Sequence, residues 1–111
     1  MTDCLFCKIK DRSLPAEIVF ENEELIAFKD IHPKARVHLL LIPKLHLNSL
    51  DDITPAHSEL LAKLILAVPE IAKQQHLQGY RTIINTGANG GQIIFHLHLH
   101  ILGGGPLPGF H

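Results

Sequence analysis

The segment Phe95-His96-Leu97-His98-Leu99-His100-Ile101 places an imidazole at every second position. In an extended strand successive side chains point to opposite faces, so this spacing predicts His96, His98 and His100 on one face. Leu97, Leu99 and Ile101 then line the other. Neighbouring imidazoles would stand roughly 6–7 Å apart along the strand. The apolar face would fix the register, since a one-residue slip buries the histidines and exposes the leucines. Two chemistries use such a row. His-x-His spacing presents two ligands to Zn²⁺ or Fe²⁺. Alternatively, one imidazole acts as a nucleophile while its neighbours donate hydrogen bonds and carry protons. A solvated face that uses histidine by chance is the third option, and strict alternation of three argues against it. Spacing alone does not separate the first two.

The residues just before this segment narrow the choice. Asn85 ends one apolar run, and Gly90-Gly91-Gln92 opens directly into the histidines. Glycine lets backbone N–H groups approach an anion closely, and Asn or Gln donates without adding charge. Asn and Gly also dominate ordinary turns, but beside three histidines the loop reads as a phosphate cradle. At the other end of the chain, Cys4 and Cys7 are the only cysteines. A Cys-x-x-Cys pair reads as a redox pair, half a zinc site or two buried thiols.

These groups need a frame. Residues 1–111 read as one domain, since 111 residues suffice to bury a core without staples. Hydrophobic residues at 46% and charged residues at 19% are globular proportions. Lys+Arg 10 against Asp+Glu 11 leaves no basic footprint for nucleic acid. No apolar run is long enough to span a membrane, and no signal-like segment precedes Cys4, so a cytoplasmic location is expected. Cys4 to Ile9 suggests one or two helical turns. Glu17–Phe20 and Leu25–Phe28 flank Asn22-Glu23-Glu24 as a hairpin. Val37–Ile42, closed by Pro43, reads as a central strand covered on both faces. From Pro55 to His76 the period becomes helical, with Leu60, Leu61, Leu64, Ile65, Val68, Ile71 and Ala72 forming a stripe to cover the apolar side of the sheet. Thr54 is the expected cap and Gly79 the expected stop, while Pro69 should kink or split the helix. Strands are then expected at Tyr80–Asn85 and from about Ile93 to Leu102. The sum is an α+β fold, an antiparallel sheet of about five strands with one main helix and a short N-terminal helix.

Gly91 through Gly104, with the alternating histidines at its centre, resembles the signature of the histidine triad (HIT) family, in particular its Hint branch of nucleotide-binding proteins. Phe20–Asp30 and His38–Lys44 match two earlier blocks of that family in type and order, so the resemblance covers essentially the whole chain. It implies a homodimer that joins two sheets and a purine mononucleotide site. It also implies hydrolysis of purine nucleoside 5′-phosphoramidates, of the AMP-amine or aminoacyl-AMP type, with no cofactor required for catalysis. His98 matches the nucleophile, which would form a transient nucleotidyl-histidine. His100 and His38 match residues that contact phosphate oxygens and help move protons. His96 matches the position that supports the nucleophile's orientation, and Asn85 a polar residue near phosphate. Phe6, Ile9, Phe28 and Ile31 would sandwich the purine, and Asp30 would take the ribose hydroxyls.

Two departures stand out. Ile93 occupies a position that is usually polar, and the tail from Gly103 is short, Gly/Pro-rich and without tryptophan. Some bacterial relatives pair two such cysteines with two histidines around a structural zinc, and the matching positions here are His46 and His96. The competing expectations are a metallohydrolase with its ion on His96, His98 and His100, and a non-catalytic nucleotide-binding module. His32, His57, His76 and His111 read as surface residues.

Overall fold

In a computed structural model that describes residues 3–109, the chain opens with the short helix α1 (Leu5–Lys10). The hairpin β1 (Ile18–Glu21) and β2 (Leu25–Lys29) follows, with a bulge between Ile18 and Phe20. Asn22 makes its turn by accepting the N–H groups of Glu24 and Leu25 on Oδ1. Next come β3 (Val37–Pro43), the main helix α2 (Ser58–Gln74), β4 (Tyr80–Ile83) and β5 (Leu99–Gly103). Among the described residues these strands form one antiparallel sheet in the order β1-β2-β3-β5-β4. The architecture is the expected α+β one, and no described helix is long and apolar enough to cross a membrane.

Alternation along β3 separates two cores. Leu39 and Leu41 join Leu97, Leu99 and Ile101 beneath Leu64, Val68 and Ile71 of α2. Each such side chain contributes about 1.5–3 kcal/mol on full burial. Leu40 and Ile42 face the other way, with Ile26 and Phe28 of β2, and are covered by Phe6 and Ile9 of α1. His38, two residues before Leu40, and His100, paired with Leu40, fall on this second face. Here α1 covers only part of the sheet, and the uncovered part holds the histidines.

Several expectations are corrected. The extended strand from Ile93 shrinks to β5, because its ladder with β3 ends at the Leu41–Leu99 pair and β3 itself closes at Pro43, which has no N–H to offer. Residues 94–96 bend instead, and Leu97 N–H goes to the Leu47 carbonyl at 2.7 Å. His96 and His98 therefore precede the strand, and both are buried, not solvated. Similarly, β4 ends at Ile83, leaving Asn85 in a loop.

On the helix, Ile65 is exposed and Ala67 takes its place in the buried stripe. α2 runs unbroken through Pro69, which sits on the exposed side, where water reaches the carbonyl it leaves unpaired. Thr54 does cap, but it caps a 3₁₀ turn at Pro55–His57 with His57 closing a capping box, and α2 starts after it. The helix also stops before Gly79, at Gln74, and His76 turns the chain with a positive φ of 59°. His111 lies outside the described residues.

Candidate active site

A cavity of about 500 Å³ opens over the uncovered part of the second face. His38 from β3 and His100 from β5 form its floor with Leu40 and Leu102, and His98 stands beside them from the segment ahead of β5. Phe6 of α1 and Ile94 make an apolar wall, and Asp30, Asn85 and Gly91 stand at its loops. Gly91 has φ 89°, a left-handed conformation that glycine adopts without strain, and so makes the turn at the rim.

Backbone groups fix which nitrogen of each imidazole carries its hydrogen. A carbonyl only accepts and an amide N–H only donates, so each such contact assigns a tautomer. His98 Nδ1 lies 2.7 Å from the His96 carbonyl oxygen and must donate to it. Its Nε2 is left with a lone pair. Lys34 N–H donates to His38 Nδ1 at 2.9 Å. The His38 Nε2–H then points to His100 Nδ1 at 2.9 Å, with Asp30 Oδ2 at 3.4 Å. His100 Nδ1 accepts, so its Nε2 carries the hydrogen. The outcome is a nucleophilic nitrogen on His98 and an N–H donor on His100, their rings 4.9 Å apart.

Burial holds these rings neutral. It lowers the pKa values of His38 and His98 and pushes His100 down to about 4, where the neighbouring His98 and His38 add to the effect. An uncharged His98 keeps its lone pair at neutral pH, which nucleophilic attack requires.

His96 faces elsewhere. Its Nε2–H donates to the Pro43 carbonyl at 2.7 Å, and its Nδ1 meets Cys4 Sγ at 3.3 Å and Cys7 Sγ at 3.5 Å. His46 Nδ1 reaches Cys7 Sγ at 3.3 Å while its Nε2–H is held by Asn48 Oδ1 at 2.8 Å. The four ligand atoms all lie within 4.8 Å of one another. A zinc tetrahedron with bonds of 2.0–2.3 Å has edges of roughly 3.3–3.8 Å, so the donor set fits that ion. Both histidines also turn a lone pair inward and an N–H outward to an oxygen, the arrangement that orients imidazole ligands.

Of the residues singled out from sequence, His38, His98, His100, Asp30, Asn85, Gly91 and Phe6 meet at the cavity. Ile9 and Phe28 are buried behind its wall in the α1 core. Ile31 is exposed and not part of the lining. Gln92 is a brace, not a cradle: it is buried, accepts Gly87 N–H and donates to the carbonyls of Asn48 and Ile94. The catalytic ion expected on three triad imidazoles lacks its site, because both ring nitrogens of His96 are committed away from His98 and His100. His32 and Lys34 do line the cavity and were missed. The signal was Asp30 before a proline turn, for its Oδ1 accepts His32 N–H at 2.8 Å and folds the loop back over His38.

Residues 3–106 match the family model described as "Scavenger mRNA decapping enzyme C-term binding". The chain is 54% identical to Protein HitA of Neisseria gonorrhoeae over 104 residues, covering 93% of this chain and 97% of that protein. It is 38% identical over 107 residues to a purine nucleoside phosphoramidase of Escherichia coli, covering 95% and 90% respectively. A crystal structure of a HIT family hydrolase from Legionella pneumophila superposes with a TM-score of 0.93 at 42% identity, over 96% of each chain.

Proposed function

The chain belongs to the histidine triad family, and from that premise we propose that it hydrolyses the P–N bond of purine nucleoside 5′-phosphoramidates through His98. The observation that carries this is the tautomer assignment, a lone pair on His98 Nε2 beside an N–H on His100, both neutral, in one cavity. In the first step His98 Nε2 attacks the α-phosphorus and the P–N bond breaks. Its electron pair leaves on the amine, which takes a proton from water at the cavity mouth, while His100 Nε2–H donates a hydrogen bond to the phosphate oxygen. In the second step the hydroxide so formed cleaves the nucleotidyl-histidine, frees the mononucleotide and restores His98. His38 holds His100 in the donor tautomer throughout. In this reading Asp30 accepts the ribose hydroxyls and Phe6 packs the purine, and both line the cavity.

The test is a turnover assay with an AMP-linked amine, joined to mass analysis of the quenched protein. A nucleotidyl adduct on His98 and its loss in His98→Ala are expected, with kcat/KM down by about 10³-fold or more. Equal, slow hydrolysis by the two proteins would sink the enzymatic reading and leave a nucleotide-binding module. A metal-dependent alternative is favoured by one observation only, that Asp30, His38 and His100 offer ligand atoms within 4.8 Å of one another. Turnover lost to chelation and restored by added ion, with no adduct, would favour it.

Two further features belong to this reading. Zinc is the ion that Cys4, Cys7, His46 and His96 would hold, and there it would supply a closed structural tie between α1 and the segment ahead of β5. The protein would also act as a homodimer, for which the exposed Leu66 and Ile65 of α2 and the edge strand β4 are the available surfaces.

A further inference from the structure

The geometry points to a second role for Cys4, Cys7 and His46: they are positioning residues for the nucleophile, acting through His96 and Phe6, so that metal and nucleotide bind with mutual reinforcement. This rests on the functional reading above. His96 is held at three points. Its Nδ1 faces the two thiols, its Nε2–H goes to Pro43, and its carbonyl takes the Nδ1–H of His98 at 2.7 Å. The group that selects the His98 tautomer is thus the backbone of a cluster residue.

The second route runs through α1. Phe6 lies between Cys4 and Cys7 in sequence and sets its ring edge-on to His98, with centroids 5.1 Å apart. Six residues make a helix that is marginal alone. Cys4 Sγ caps it by accepting Cys7 N–H, so the same sulfur faces both the cap and His96. When the four ligands are drawn together, α1, the Phe6 wall and the His96 carbonyl are fixed at once. When they are not, all three loosen beside the nucleophile. Two sites that share one set of constraints must be linked, and the linkage is reciprocal.

The experiment measures zinc affinity of the full chain by competition with a chromophoric chelator, with and without saturating AMP, after metal analysis of the purified protein. AMP is expected to tighten zinc by about 5- to 150-fold, and zinc to tighten AMP by the same factor. Protein that takes up no zinc, or an unchanged zinc affinity while AMP binds, overturns the coupling. AMP that fails to bind loaded protein overturns the functional reading together with it.

A merely structural metal is separated by His46, whose side chain is exposed and can be replaced without opening the core. His46→Gln should lose the coupling while the thermal unfolding of the sheet and α2 stays cooperative, and His46→Cys, which keeps a ligand, should restore it. The imidazole ¹⁵N spectrum should show one His98 tautomer in the wild type and averaged signals in His46→Gln. An unaltered His98 signal in His46→Gln would overturn the proposal.

Discussion

At His98, the place of a single hydrogen decides between a nucleophile and a donor. The His96 carbonyl puts it on Nδ1, and burial keeps the second proton off. The same burial sets a pH dependence that can be worked out from His100. Its pKa falls from an ordinary 6.5 to about 4 on folding, so the unfolded chain takes up this proton first as pH drops. Stability from this group is therefore complete above pH 6.5, is lost progressively between 6.5 and about 4, and changes no further below. His38, also lowered, adds in the same direction. Thermal unfolding followed at pH 7.5, 6, 5 and 4 should show a falling midpoint, and replacing His100 with Asn should flatten that slope. A slope unchanged by the replacement would count against the neutral relay. The imidazoles on the cavity were legible in sequence because alternation survives wherever the chain is extended, even just outside a strand. The approach of His96 to the thiols entered through the family resemblance alone, since 92 residues separate it from Cys4 and no local period reports a partner so remote.

Elements place these residues by where they stop. β3 gives the site His38 and Leu40 on one face and the α2 core Leu39 and Leu41 on the other, so one strand serves both layers. The run closed by Pro43 announced that double burial in the sequence. The length of the final strand was not announced, because the leucine face that suggested it is satisfied equally by a bent segment packed on Leu47. After β5 the chain must leave the sheet past β3, and Gly104 makes this exit at φ 88°. A Cβ there would lie 2.9 Å from Arg36 Cβ and 3.1 Å from Val37 Cγ2. Gly104→Ala should cost about 1–3 kcal/mol from strain and crowding together. It should appear as a lower denaturation midpoint with unchanged slope. Since Val37 begins the strand that carries His38, nucleotide affinity should fall with it.

For the molecule as a whole, the sheet has two edges, and they are unequal. β1 carries a bulge, a common device against edge pairing, whereas β4 is regular, four residues long and next to β5, the strand that carries His100. Ile65 was read as core from its spacing and is half exposed, whereas Leu66 never belonged to the stripe. At 70% exposure Leu66 belongs to no core within the chain. If it is covered by a second copy, Leu66→Glu should convert a dimer to a monomer in sedimentation while the isolated fold is retained, and a wild type that sediments as a monomer would remove the dimer. The cluster at the N-terminus carries one more consequence, in the order of synthesis. Both thiols emerge from the ribosome before His96, which follows Cys7 by 89 residues, roughly 4–18 seconds of translation. Throughout that interval the nascent chain presents a Cys-x-x-Cys hook without its histidine from the far end. If the cluster takes up zinc as proposed, its capture is a closing event of biogenesis, and an oxidant that seals the hook first would leave a polypeptide that cannot load.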